Sequence, residues 1–177
     1  PLYSSAASDV YKRQDLNTEK QKLLEFTNKE NVSGSVKKVL QGAHVFIGVS
    51  KGNVISAKDV QTMAKDPIIL AMANPTPEIM PDEAKKGGAI VIGTGRSDFP
   101  NQVNNVLVFP GIFRGALDAR SPVINNAMKL AAAKALAESV PTNELSTDKI
   151  LPHPLDRTVA PMICLLYTSP SPRDVEE

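Results

Sequence analysis

The sequence has a single cysteine, Cys164, and no tryptophan. One thiol allows no internal disulfide and no cysteine-rich metal site, which fits a reducing compartment. Aromatic residues are 5% of the chain, too few to build platforms on which nucleic-acid bases stack. An excess of one charge is lacking as well. Twenty Lys and Arg face 19 Asp and Glu, a formal net charge of +1, so no basic field draws nucleic acid or an anionic membrane. No apolar run approaches the roughly 18 residues of a membrane span. The start, PLYSSAASDVYKRQ, has no apolar core like that of a signal peptide. These absences together predict a soluble cytoplasmic protein without nucleic-acid or membrane partners. The sequence also lacks a Walker motif, a G-x-S-x-G elbow, a Cys/His metal pattern and a G-x-G-x-x-G turn. The last absence matters most, because a complete dinucleotide fold of the common type opens with that turn.

What is present is organised around residues 68–113. Two short apolar runs, 68–73 (IILAMA) and 89–93 (AIVIG), each end in a polar loop. The first loop is Asn74-Pro75-Thr76-Pro77-Glu78; the second is Thr94-Gly95-Arg96-Ser97-Asp98, leading into Asn101-Gln102-Val103-Asn104-Asn105. Apolar runs of this length between turn residues predict buried strands. Polar side chains gathered just past strand ends are where open α/β sheets bind ligands.

Upstream, residues 15–27 and 33–41 have helical spacing, and Gly42 is a fitting stop. A third strand is expected over 43–49, followed by the loop Lys51-Gly52-Asn53. A helix over 56–64 follows, with Asp59 three residues after Ser56 as an acidic capping box. Pro67 ends it. A brief helix over 81–86 carries Pro81 near its first position. Strands alternating with helices at this spacing predict right-handed crossovers and a parallel sheet, and the continuous apolar character of the strands predicts burial on both faces. Downstream, Pro110-Gly111 is expected to break the apolar stretch 103–117. Ser121-Pro122 should start a helix running to about Val140, with Ile124, Met128, Leu130, Ala131, Ala135 and Leu136 on or near its buried stripe. Residues 141–156 are loop-like, and 157–163 begin another helix.

The two ends differ in character from the middle. Residues 1–14 and 164–177 (CLLYTSPSPRDVEE) have no period that could bury a face. They resemble translated sequencing-adapter or assembly scars, which are set aside from fold reasoning. The expected organisation is a non-native or disordered leader at 1–14, one partial domain at 15–163 and a non-native or disordered tail at 164–177.

The strand ends of a parallel sheet would bring Gly48-Val49-Ser50, Asn74-Pro75-Thr76 and Thr94-Gly95-Arg96 to one rim. Small residues such as Gly48 and Gly95 let a flat ligand approach the backbone. Asn74, Asn104 and Asn105 carry both donor and acceptor, so they can orient a hydroxy acid or a carboxamide without adding charge. The same segments are also generic turn chemistry. Arg96 and Asp98 suit a local ion pair better than a substrate clamp. Arg114 could bind a carboxylate, cap a helix end or pair across an interface. Glu78, Asp82 and Glu83 suit a helix-dipole position without a metal. His44 and His153 are isolated and take no role.

ANPTPEIMP followed by TGRSDFPNQVNNVLVFPGIFRGALD resembles the bacterial malic enzymes, and GAHVFIGVS, INNAMKLAAAKALAE and ILPHPLD extend the resemblance across residues 15–163. The resemblance implies the distal half of a Rossmann-like parallel sheet with flanking helices and a C-terminal helical segment. It implies an oxidoreductase that converts malate to pyruvate and carbon dioxide, with NAD or NADP taking the hydride and Mg or Mn assisting. It places Asn74 at the cofactor–malate junction, Asn104 or Asn105 on malate, and Gly48, Val49 and Ser50 on the cofactor. A homo-oligomer is implied for the full-length parent. The chain departs from the family at His44, where an acidic residue is usual, and at Lys51-Gly52-Asn53, where many members have Ala-Pro-Gly. The family's catalytic tyrosine and lysine, its metal ligands and its Gly-rich turn lie upstream of this segment, so no catalytic or metal-binding residue is assigned here. The residue that distinguishes NAD from NADP lies upstream too. The expected piece is inactive alone. A malolactic enzyme of the same fold and a non-catalytic nucleotide-binding module are the alternatives.

Overall fold

The structure is a computed structural model that describes Thr18, Lys22, Glu25, Thr27, Val32 and residues 34–168. Apart from those isolated positions, the helix expected at 15–27 lies outside the described residues, as do the leader and residues 169–177. The chain divides into two compact units, Pro1–Gly93 and Thr94–Glu177.

In the first unit, helix α1 (Val36–Val39) leads to strand β1 (Val45–Gly48), helix α2 (Ala57–Val60) to β2 (Ile68–Ala71), and helix α3 (Pro81–Lys86) to β3 (Val91–Thr94). Among the described residues the strands form a three-stranded parallel sheet in the order β1-β2-β3. Val45 pairs with Ile68 and Gly48 with Ala71, so both chains leave the sheet at the same level. Local chemistry places the helices. The Ser56 N–H and hydroxyl donate to the Asp59 carboxylate at 2.8 and 2.7 Å, the acidic capping box expected at the start of α2. Pro81 occupies the first turn of α3, where a missing N–H leaves no bond unmade. Leu40, Phe46, Ile55, Val60, Met63, Ile69, Ala71, Ile79 and Ala84 form the core.

Strand β1 is not buried on both faces. In β1, Phe46 and Gly48 point inward, whereas Val45 and Ile47 are 47% and 62% exposed. The apolar run therefore does not mark a strand covered twice; its side chains alternate between the core and solvent.

The second unit is helical. A 3₁₀ turn (Asn105–Leu107) precedes α4 (Phe109–Asp118), followed by α5 (Asn126–Glu138), a second 3₁₀ turn (Thr142–Glu144) and α6 (Val159–Thr168). The apolar stretch divides into a short piece and a longer one as expected, but the division falls at Val108 and not at Pro110-Gly111. Pro110 lies in the first turn of α4, where proline is tolerated. A Cβ on Gly111 would meet the Ala160 carbonyl and the Ile163 Cβ, each at 2.7 Å, so glycine allows α4 and α6 to cross closely. Ser121-Pro122 does not start α5 either; the Asn125 side chain accepts the Met128 N–H at 2.9 Å and caps the helix there. The buried stripe of α5 runs through Met128, Ala132 and Ala135, and Leu130 is 72% exposed. With Ile112, Val159 and Ile163, the alanines make the second core. Helix α6 continues past Ile163 to Thr168. Among the described residues no helix is long and apolar enough to cross a membrane.

These burials predict unequal costs on β1 and β2. Ile69→Ala, at a fully buried position, should destabilise the first unit by about 2–5 kcal/mol. Ile47→Ala should change stability by under about 0.5 kcal/mol, as surface substitutions do. Denaturant unfolding of both variants checks this, and equal losses would contradict the one-sided sheet.

Candidate functional site

Strand β1 ends at Gly48 and the chain passes on to Val49 and Ser50; beyond β2 it passes Ala73, Asn74 and the loop to Glu78. The two segments are stitched together. The Asn53 N–H donates to the Pro77 carbonyl at 3.1 Å, and the Val54 and Ile55 N–H groups donate to the Glu78 carbonyl at 2.9 and 3.2 Å. Asn53 takes a left-handed φ of 57°, a conformation asparagine tolerates. Gly52 has no Cβ, and one there would stand 2.8 Å from the Thr76 Cβ. The Asn74–Pro75 peptide is cis.

Glu78, read from the sequence only as a carboxylate near a helix start, is fully buried. Its Oε1 accepts the Ser50 N–H at 2.7 Å and the Ser50 hydroxyl at 3.3 Å; its Oε2 accepts the Ala73 N–H at 3.0 Å. The role read for Gly48 changes with it. A Cβ on Gly48 would stand 2.4 Å from the Glu78 Cδ, so the space that glycine leaves is filled by this carboxyl rather than by a ligand. The run Gly48-Val49-Ser50 could have hinted at a tight approach, but nothing local in the sequence names its partner 30 residues on.

The expected cofactor residues fall around this bridge. Val49 is 77% exposed, and Ser50 is exposed at its rim. Asn74, next to the bonded Ala73, is exposed, and no hydrogen bond among the described residues engages its amide. Asn104 and Asn105 belong to the second unit and differ from each other. The Asn104 oxygen accepts the Val106 N–H at 3.0 Å, and its amide donates to the Gly95 carbonyl at 3.4 Å. Asn105 is exposed, and no hydrogen bond among the described residues engages its side chain. Within the same unit the Val103 N–H bonds the Thr94 carbonyl at 2.7 Å. Asn101, buried with φ 53°, donates to the Thr147 carbonyl at 2.8 Å and accepts the Ile150 N–H at 2.9 Å. It thereby clips the 101–105 loop to residues 147–150.

The charged candidates are spent locally. Arg96 bonds Asp98 through Nε and Nη2 at 2.8 and 2.7 Å, and these bonds hold the Asp98 carboxyl below its usual range. Arg114 bonds Asp118 at 2.9 Å, one turn along α4, with the same effect on that carboxyl. Among the described residues no group of three or more His, Cys, Asp or Glu could hold a metal ion.

The clip yields a prediction: Asn101→Ala should cost about 1–3 kcal/mol, the usual consequence of removing a buried side chain that satisfies two backbone groups. Denaturant midpoints measure it, and an unchanged midpoint would show that the loop is held otherwise.

Residues 5–160 match the family described as malic enzyme, NAD binding domain. The bifunctional malic/malolactic enzyme of Bacillus subtilis is 57% identical over 148 residues, covering 84% of this chain and 36% of that protein. The NAD-dependent malic enzyme of Geobacillus stearothermophilus is 54% identical over 132 residues, 75% of this chain and 27% of that protein. The crystal structure of the NAD-dependent malic enzyme of Thermotoga maritima superposes with a TM-score of 0.82 at 40% identity, covering 89% of this chain and 41% of that one. The chain thus spans about a third of the length of these two curated relatives. Its sequence and its α/β fold place it in the malic enzyme family, within the NAD-binding domain.

Proposed function

We propose that this chain supplies the distal half of a nucleotide cleft in an enzyme that oxidatively decarboxylates malate to pyruvate and carbon dioxide. The observation that carries the reading is the pair of loops bonded through Glu78, with the Asn74 amide beside them exposed and unspent. A bound NAD or NADP would accept the hydride. Residues 48–50 would line it, and Asn74 would offer a donor and an acceptor at the junction of cofactor and substrate. In the second unit Asn105 is the better candidate for a malate contact, because Asn104 already spends its amide on the loop. The acidic ligands of Mg or Mn would come from a part of the parent upstream of residue 15.

The B. subtilis relative supports a second reading, since its name joins malic and malolactic activities. Both reactions begin from bound malate and differ in whether pyruvate or lactate is released. The organisation proposed above, with residues 15–163 as the family domain, extends to a homo-oligomeric, cytoplasmic parent enzyme.

The test combines binding and turnover. Titration of NAD or NADP into the isotopically labelled chain should shift the Asn74 side-chain amide signals, and Asn74→Ala should weaken binding about tenfold, the loss of roughly 1.4 kcal/mol. The chain alone, supplied with malate, nucleotide and Mg, should reduce no nucleotide. Malate-dependent reduction by the purified chain would overturn the half-cleft reading.

A further inference from the structure

Glu78 is a buried acidic group that the chemistry above leaves unused. It lies on a loop between Pro77 and Ile79, yet it is 0% exposed. Its two oxygens divide between two loops: Oε1 serves Ser50 after β1, and Oε2 serves Ala73 after β2. Burying a polar group is costly unless its partners are present, so these donors are what keep the carboxyl in place. Backbone bonds already hold residues 53–55 against 77–78. What the side chain adds is the register of Ser50 against Ala73, the residue before Asn74.

We infer that Glu78 is a positioning residue of the nucleotide site, fixing the 48–50 segment and the Ala73–Asn74 turn in the one relative placement that can accept the cofactor. This rests on the reading of those segments as nucleotide-facing. Glu78 touches no ligand, being covered by the loops it joins; it acts on affinity through their placement. Glutamine tests this closely. It keeps the size of glutamate, but only one of its terminal atoms accepts a hydrogen bond, so it can serve Ser50 or Ala73 and not both. A methyl on Gly48 attacks the same arrangement from the other side, since it would stand 2.4 Å from the Glu78 Cδ.

The experiment measures NAD and NADP dissociation constants by amide-shift titration of the wild-type chain, Glu78→Gln, and the control Glu83→Gln. Glu83 is half-exposed and bonds the Lys86 ammonium at 3.0 Å. Glu78→Gln should weaken binding about tenfold or more. The ligand-free Ser50 and Ala73 amide signals should move while those of Ile69 and Leu70 stay, a pattern that general destabilisation would not give. Glu83→Gln should bind like wild type. Equal affinity of wild type and Glu78→Gln overturns the inference alone. Failure of the wild-type chain to bind either nucleotide removes the nucleotide reading, and the positioning role falls with it. If Glu78→Gln does not fold, Glu78→Asp, which keeps both oxygens one methylene short, should fold and bind more weakly; wild-type affinity there overturns the inference.

Discussion

The carboxyl of Glu78 takes hydrogen bonds from two separate loops, and the candidate site of the first unit depends on that junction. A short parallel sheet delivers its chains to a common level but does not fix what they do next. Here the missing side chain of Gly48 opens a space at the end of β1, and Glu78 fills it. The carboxyl then satisfies N–H groups that the ladder leaves without partners, as buried backbone donors require. Substituting any one of the three parts, the glycine, the carboxyl or the tight approach of residues 53–55, disturbs the other two.

The second unit solves a similar problem by packing instead of hydrogen bonding. Gly111 allows α4 to rest on α6, and Ala132 and Ala135 complete a small apolar core with Ile112, Val159 and Ile163. On that base stands a polar loop held at both ends, by Asn101 on residues 147–150 and by Asn104 on Gly95 and Val106. Asn105 is left exposed. The same division appears in both units: one polar residue is spent on shape, and a neighbouring asparagine remains available.

Features that depend on a few neighbouring residues were legible in the sequence. The Ser56–Asp59 box, Pro81 at the head of α3 and the three apolar runs of the sheet all stand where local rules place them. So was the family, because the run from Asn101 to Asp118 is specific. What failed depended on distant partners. Pro110-Gly111 looks like the point of division, which falls at Val108 instead, and the glycine serves the approach of α6. Leu130 looks like a core residue until Met128, Ala132 and Ala135 take the buried side of α5. Val45 and Ile47 look buried because apolar strands in parallel sheets usually are, yet they alternate with the buried Phe46 and Gly48 and are exposed. Nothing next to Glu78 in the sequence announces its burial, because its partners are 28 and 5 residues away.

The most direct measurement of this account is native-state hydrogen exchange at the Ser50 and Ala73 amides. If Glu78 joins the two loops, both amides exchange at least about tenfold more slowly than in an unstructured peptide, and both lose protection together when the carboxyl is truncated in Glu78→Ala, while the Ile69 amide in β2 keeps its own. Exchange of Ser50 and Ala73 at the unstructured rate in the wild-type chain would contradict it.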